Sequence, residues 1–182
     1  MIRQPYTGAF VLCAFFVIVL LVAFLKSAPY LSNAIAGESS VGTWLSGVLL
    51  VTGAVTSLIV GSRHQLWKWY IISVFFLMLA ADEHFMFHEK IKEQLIFSDH
   101  TKPFWFYEVP VLLGAILGFV VAMVLVRILS GWSRKLLMIG VAFGLASVTM
   151  DVLAAGVLIE DMFKLLAELA VACALLIETS RK

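Results

Sequence analysis

Acidic residues and histidines follow one another directly at the end of an apolar stretch of the chain. In order, the residues there are Asp82, Glu83, His84, Phe85, Met86, Phe87, His88 and Glu89. Positions i and i+7 of a helix share one face, so Asp82 and Glu89 are expected on one line. Carboxylates combined with one or two histidines are ligands that iron, manganese and zinc accept, whereas copper(I) prefers sulfur and calcium prefers oxygen alone. The pattern therefore predicts ligands for a divalent metal ion.

Further ionisable residues interrupt three later apolar stretches of the chain. They are Glu108 in the first stretch, Asp151 in the second, and Asp161, Lys164 and Glu168 in the third. A charged side chain at the centre of a membrane helix costs about 2.5–3.5 kcal/mol, so a group of such residues must be compensated. Six carboxylates stand against one fixed cation, Lys164, when Asp82 and Glu89 are added to this set. Protons or a bound metal ion would have to supply the missing positive charge.

The elements that carry these residues are predicted to be membrane-spanning helices. Of the 182 residues, 62% are hydrophobic and only 14% are charged, whereas about a quarter of an ordinary soluble domain is charged. A span needs about 20 predominantly apolar residues. The chain accommodates six, at about 8–25, 41–61, 67–88, 104–126, 136–156 and 160–177. The expected fold class is therefore all-α, a polytopic membrane protein whose single domain is a bundle of six transmembrane helices.

The distribution of lysine and arginine predicts the orientation of this bundle. With both termini cytoplasmic, the inner side would hold eight of these residues and the outer loops four, which agrees with the excess expected on the cytoplasmic side. In this orientation the third helix ends, the fourth begins, the fifth ends and the sixth begins at the outer face. The candidate ligands would thus gather at the outer side of the membrane, which we expect to be a bacterial plasma membrane.

Small residues indicate how the helices pack. The patterns Gly114-x-x-x-Gly118 and Gly140-x-x-x-Gly144 are typical of close helix contacts in lipid. Cys13 and Cys173 lie inside apolar runs, and we interpret them as small buried residues rather than as a disulfide. The net charge of +1 gives no indication of a nucleic-acid partner.

These features lead to the hypothesis of an integral membrane metalloprotein whose site lies near the outer membrane face. The predicted metal ligands are Asp82, His88, Glu89, Glu108, Asp151 and Asp161. In a metal-dependent hydrolase or oxidoreductase, the metal ion would activate water or polarise a substrate, and Glu168 would serve as general base. Lys164 would pair with Asp161 or Glu168, or would hold an anionic group of the substrate. The substrate expected is a lipid or another membrane-soluble molecule.

Two other functions are compatible with the same residues. The acidic cluster could translocate an ion or protons, although the inner halves of the predicted helices hold few polar side chains from which a continuous path could be built. Alternatively, the protein is a homo-oligomer or an accessory subunit of a larger membrane complex. The first span, which is almost uniformly apolar, suits contact with lipid and contact with a partner helix equally well.

Overall fold

The computed structural model describes residues 6–27, 35, 40–98, 106, 109–153 and 156–180. It defines seven α-helices, and no strand occurs in these residues. The helices are α1 (Thr7–Ser27), α2 (Val41–His64), α3 (Trp67–Phe85), α4 (Phe87–Ser98), α5 (Val109–Ile128), α6 (Gly131–Val152) and α7 (Val157–Thr179). The predicted all-α fold class is thereby confirmed.

Four of these helices are long and apolar enough to cross a membrane. They are α1, α2, α5 and the segment Gly131–Asp151 of α6. The pair formed by α3 and α4 would make a fifth span, although the two helices are bent by 63° where they meet. The fold is therefore compatible with a membrane protein of four or five spans. The sixth predicted span corresponds to α7. This helix carries more charged residues than the others and is not among the candidate spans.

The predicted third span, 67–88, is wrong in one respect, because its helix breaks at Met86. α3 ends at Phe85, and Met86 has φ 52° and ψ 47°, the left-handed conformation in which helices commonly end. The chain then begins α4 at Phe87. Asp82 and Glu89 consequently belong to two different helices. The prediction from their spacing, that they share one face of one helix, is therefore wrong.

α7 lies at the centre of the bundle, where it packs against α6, α2 and α1. Leu175, in its second half, is fully buried. α6 and α7 approach each other closely at Gly140, where an added Cβ would lie 2.9 Å from Val171 Cγ2 and 3.0 Å from the carbonyl oxygen of Ala167. The second glycine pattern therefore mediates close helix packing at Gly140, as predicted, whereas an added Cβ at Gly144 would lie at an ordinary 3.8 Å from Ala167 Cβ.

The first glycine pattern does not bring two helices into close contact. An added Cβ at Gly114 would meet no atom within 4 Å, and one at Gly118 would lie 3.8 Å from Phe75 Cζ, an ordinary van der Waals distance. α5, which carries both glycines, packs mainly against α6. The prediction of a close contact is wrong at Gly114, and the space beside this residue belongs to a cavity.

The two cysteines lie side by side where α1 packs against α7. Cys13 on α1 and Cys173 on α7 are both free thiols, with their Sγ atoms 3.6 Å apart. Cys173 is buried and Cys13 is half-buried. This agrees with their interpretation as small residues in the helix packing. The rest of α1 is mostly exposed apolar surface, as expected of a helix in contact with lipid.

Candidate functional site

A cavity of about 390 Å³ lies between α2, α3, α5, α6 and α7. This volume is within the range of small-molecule pockets, about 300–1,000 Å³. Most of the wall is apolar. The ionisable residues that line the cavity are Asp82, Glu83, His88, Asp151, Glu160, Lys164 and Glu168. Five of these seven were singled out in the sequence as candidate ligands or catalytic groups.

The direction of the helices explains why these residues meet at one end of the cavity. Asp82 lies in the last turn of α3, Asp151 lies in the last turn of α6, and Glu160 lies in the first turn of α7. At the opposite end of the bundle, a guanidinium nitrogen of Arg63 donates a hydrogen bond to the carbonyl oxygen of Thr179, which joins the ends of α2 and α7. The charged groups are therefore separated from that end by most of the length of the bundle.

Asp82 bridges the break between α3 and α4. Its Oδ2 lies 2.7 Å from His88 Nδ1, and its Oδ1 accepts a hydrogen bond of 3.0 Å from the backbone N–H of His88. A carboxylate that accepts an N–H in the first turn of a helix satisfies an otherwise unpaired donor and interacts favourably with the helix dipole. Asp82 therefore holds α4 in its bent position and fixes the orientation of the imidazole.

Lys164 forms an ion pair with Glu83, a residue that was not among the predicted partners. The ammonium group of Lys164, on α7, donates a hydrogen bond to Glu83 Oε2, on α3. The prediction that Lys164 pairs with Asp161 or Glu168 is wrong in this detail. Glu83 follows Asp82 directly, and neighbouring positions on a helix point about 100° apart. This spacing was the signal in the sequence, because it allows one carboxylate to face α4 and the other to face α7.

Glu168 lies deeper along α7, between the charged end and the apolar part of the cavity. Its Oε1 accepts a hydrogen bond of 2.8 Å from Ser46 Oγ on α2. Its Oε2 is buried and has no hydrogen-bond partner among the residues that the structure describes. A buried carboxylate oxygen without a donor is costly. Among the ionisable side chains that line the cavity, Glu168 therefore has a buried oxygen, Oε2, without a partner in the described residues.

The apolar part of the cavity is elongated along α6. Its wall on α6 extends from Leu137 to Asp151, a distance of about 21 Å at a helical rise of 1.5 Å per residue. The facing wall is α5, which contributes Gly114, Ala115 and Gly118. These residues leave space because their side chains are absent or small. The cavity thus joins a charged end to an elongated apolar body.

The predicted metal ligands are not brought together as one group. Asp82 and His88 are in contact, whereas Glu89 has a side chain that is 55% exposed, with Oε1 4.0 Å from His88 Nε2. Asp161 lies near Lys164 and Glu83 and is not among the residues that line the large cavity. Glu108 lies outside the described residues. Within the described part of the chain, no three His, Cys, Asp or Glu side chains are close enough to hold a metal ion.

The fold and the cavity define the class of protein. It is all-helical in its described residues, it has several membrane-compatible helices, and a cavity between these helices is mostly apolar and charged at one end. Residues 6–179 match a protein family described as a domain of unknown function (DUF8692), and the chain belongs to this family. No curated protein and no solved structure matches the chain.

Proposed function

We propose that this protein binds a lipid-like molecule within the membrane, with an apolar chain in the cavity and a polar group at the charged end. The observation that carries this proposal is the division of one cavity of about 390 Å³ into an apolar body and a charged end. A ligand in such a site buries apolar surface along most of its length and finds charged partners only for its polar group. A lipid, or another membrane-soluble amphiphile, has the same division.

The position of α5 supports access from the membrane. One side of α5 lines the cavity, while Leu113 and Ile116 on another side are each 62% exposed. Such a surface is suited to contact with lipid chains. A membrane-soluble ligand would then reach the cavity past α5 without passing through water.

The proposal includes six membrane spans, with both termini cytoplasmic and α7 as the sixth span. α7 is surrounded by α1, α2 and α6, an arrangement that keeps charged residues of a membrane helix away from lipid. The charged end of the cavity then lies at the outer face. In intact cells, a membrane-impermeant maleimide should label a Glu93→Cys variant on α4 and should spare a Gln65→Cys variant between α2 and α3. The reverse labelling pattern would exclude this orientation.

Binding of an apolar chain is tested by filling the cavity beside Gly114. The probe is a straight-chain alkyl compound with a photoactivatable diazirine on its chain. In wild-type protein, labelling of cavity residues such as Val141 and Leu145 should saturate with probe concentration, and unlabelled alkyl compound should compete. Labelling of the exposed residues of α1 should instead rise in proportion to the probe concentration.

Gly114→Leu provides the critical variant and Gly47→Leu its matched control. An added Cβ meets no atom within 4 Å at either glycine, so neither substitution begins with a clash. Gly114 lines the cavity, whereas Gly47 on α2 is not among its lining residues. Gly114→Leu should remove the saturable labelling, and Gly47→Leu should retain it. The proposal fails if wild-type labelling never saturates, or if both variants label as the wild type does.

Metal binding remains a separate prediction, and metal-dependent catalysis with Glu168 as general base depends on it. Asp82 and His88, which are hydrogen-bonded at 2.7 Å, are the two predicted ligands in direct contact. Elemental analysis of protein purified without a chelator should find close to stoichiometric iron, manganese or zinc, and Asp82→Ala should lose it. Folded protein that carries no metal would contradict this prediction and would leave lipid binding unaffected.

A further inference from the structure

We infer that the polar group of the ligand is a cationic amine, bound by Glu168 together with Asp151 and Glu160. This inference rests on the proposed function, because it assumes that an amphiphile occupies the cavity. It adds the chemical class of the ligand, a long-chain amine, which the apolar part of the cavity does not specify. Two independent observations carry it: the balance of charge at the charged end, and one buried oxygen atom without a partner.

The balance of charge follows from the ion pairs that the cavity residues form. Five carboxylates line the cavity, together with Lys164 and His88. Glu83 is paired with Lys164, and Asp82 is bonded to His88. The other three carboxylates, those of Asp151, Glu160 and Glu168, take part in no ion pair within the described residues. The charged end therefore offers three carboxylates to a ligand and no unpaired lysine or arginine.

The second observation concerns Glu168, the carboxylate closest to the apolar part of the cavity. Ser46 donates a hydrogen bond to its Oε1. Its Oε2 is buried without a donor, and the residue lines the cavity. An ammonium group has three N–H donors and a positive charge. A turn of the carboxylate toward the cavity would let the ammonium donate to this oxygen and at the same time reach a second carboxylate.

Other polar groups fit the charged end less well. A phosphate or carboxylate would find one ammonium, that of Lys164, whose charge is already balanced by Glu83, and it would be repelled by the three carboxylates without an ion pair. A metal ion requires several ligands within about 2.0–2.6 Å of one point, and no three suitable side chains meet that condition in the described part of the chain. Hydrogen bonds from an ammonium are longer, about 2.7–2.9 Å, and its donors point in different directions. It therefore suits carboxylates on separate helices.

The experiment compares three competitors that share one alkyl chain: dodecylamine, dodecanol and dodecanoic acid. Each competes with the diazirine probe for the saturable labelling of the cavity residues. Dodecylamine should displace the probe at a concentration at least tenfold lower than dodecanol, and dodecanoic acid should be the weakest. Glu168→Gln should reduce the advantage of the amine over the alcohol at least fivefold, while displacement by the alcohol should stay unchanged. Asp151→Asn is a second variant with the same expectation.

Glu93→Gln is the matched control. Glu93 is exposed on α4 at the same side of the protein and does not line the cavity, so its loss changes the overall charge equally without changing the site. This variant should keep the full advantage of the amine. Equal displacement by all three compounds, or best displacement by the acid, would overturn the amine inference while the proposed function stands. Labelling that no compound displaces would overturn the proposed function itself.

Discussion

Replacing Gly140 by alanine tests the central helix contact of the fold. The added Cβ would lie 3.0 Å from the carbonyl oxygen of Ala167 and 2.9 Å from Val171 Cγ2. The side chain of Val171 can adjust, but the carbonyl belongs to the backbone of α7 and moves only if the helices separate. The matched control is Gly144→Ala, one turn further along α6, where the added Cβ would lie 3.8 Å from Ala167 Cβ.

The expected magnitude follows from two opposing contributions. In a helix, alanine is favoured over glycine by about 0.5–1 kcal/mol, and this contribution is the same for both variants. An extra methyl group in a well-packed interior costs about 1–3 kcal/mol, and this cost applies only at Gly140. Gly140→Ala should therefore unfold with a free energy about 1–3 kcal/mol lower than that of Gly144→Ala. Gly144→Ala itself should be at least as stable as the wild type.

The free energies of unfolding can be measured by titrating the protein in mixed micelles with a denaturing detergent. The five tryptophans provide the fluorescence signal. If Gly140→Ala proves as stable as Gly144→Ala, then α6 and α7 do not approach as closely at Gly140 as the structure has them. The positions of Asp151, Glu160 and Glu168 relative to one another would then also need revision, since they depend on this helix pair.

Three further results are expected. Lys164→Met or Glu83→Gln alone should lower the free energy of unfolding by about 1–3 kcal/mol. In a double-mutant cycle, the double variant should lose less free energy of unfolding than the sum of the two single losses, and strictly additive losses would exclude the ion pair. Oxidation with copper phenanthroline should form a disulfide between Cys13 and Cys173. The intact mass should fall by two hydrogens, and neither thiol should then react with an alkylating reagent. Two thiols that stay reactive would contradict the packing of α1 on α7. Asp82→Ala should speed amide hydrogen exchange in α4, because the helix loses the acceptor at its first turn; unchanged exchange would show that Asp82 does not hold it.

The positions of most helices could be predicted from the sequence alone. Hydropathy is a local property, and a helix satisfies its own backbone hydrogen bonds, so an apolar run of sufficient length is enough to indicate one. α2 begins at the predicted residue, Val41, and α7 lies within three residues of the predicted bounds, 160–177. The number of spans cannot be predicted from hydropathy alone, because the charged residues of α7 are tolerated in a membrane only where other helices surround them.

The sequence indicated part of the composition of the candidate site, without Glu83 and Glu160, and none of its contacts. The sequence placed Asp82, His88, Asp151, Lys164 and Glu168 at one end of a bundle, and all of them line the cavity there. It did so because the ends of consecutive antiparallel helices alternate between two faces. Ion pairs, in contrast, depend on the rotation of each helix about its own axis, which a run of apolar residues on all sides leaves undetermined.

The sequence by itself thus determined an apolar, helical chain with an excess of carboxylates near one end of its helices. Tertiary structure decided how that excess is distributed: Glu83 pairs with Lys164, Asp82 holds the bent helix α4, and Glu168 keeps one oxygen without a donor. Tertiary structure also decided that Gly140 brings two helices together whereas Gly114 lines a cavity, although the two patterns are alike in sequence. The physical reason is that a glycine permits close approach, and only the packing of the surrounding helices determines whether another helix or an open space lies beside it.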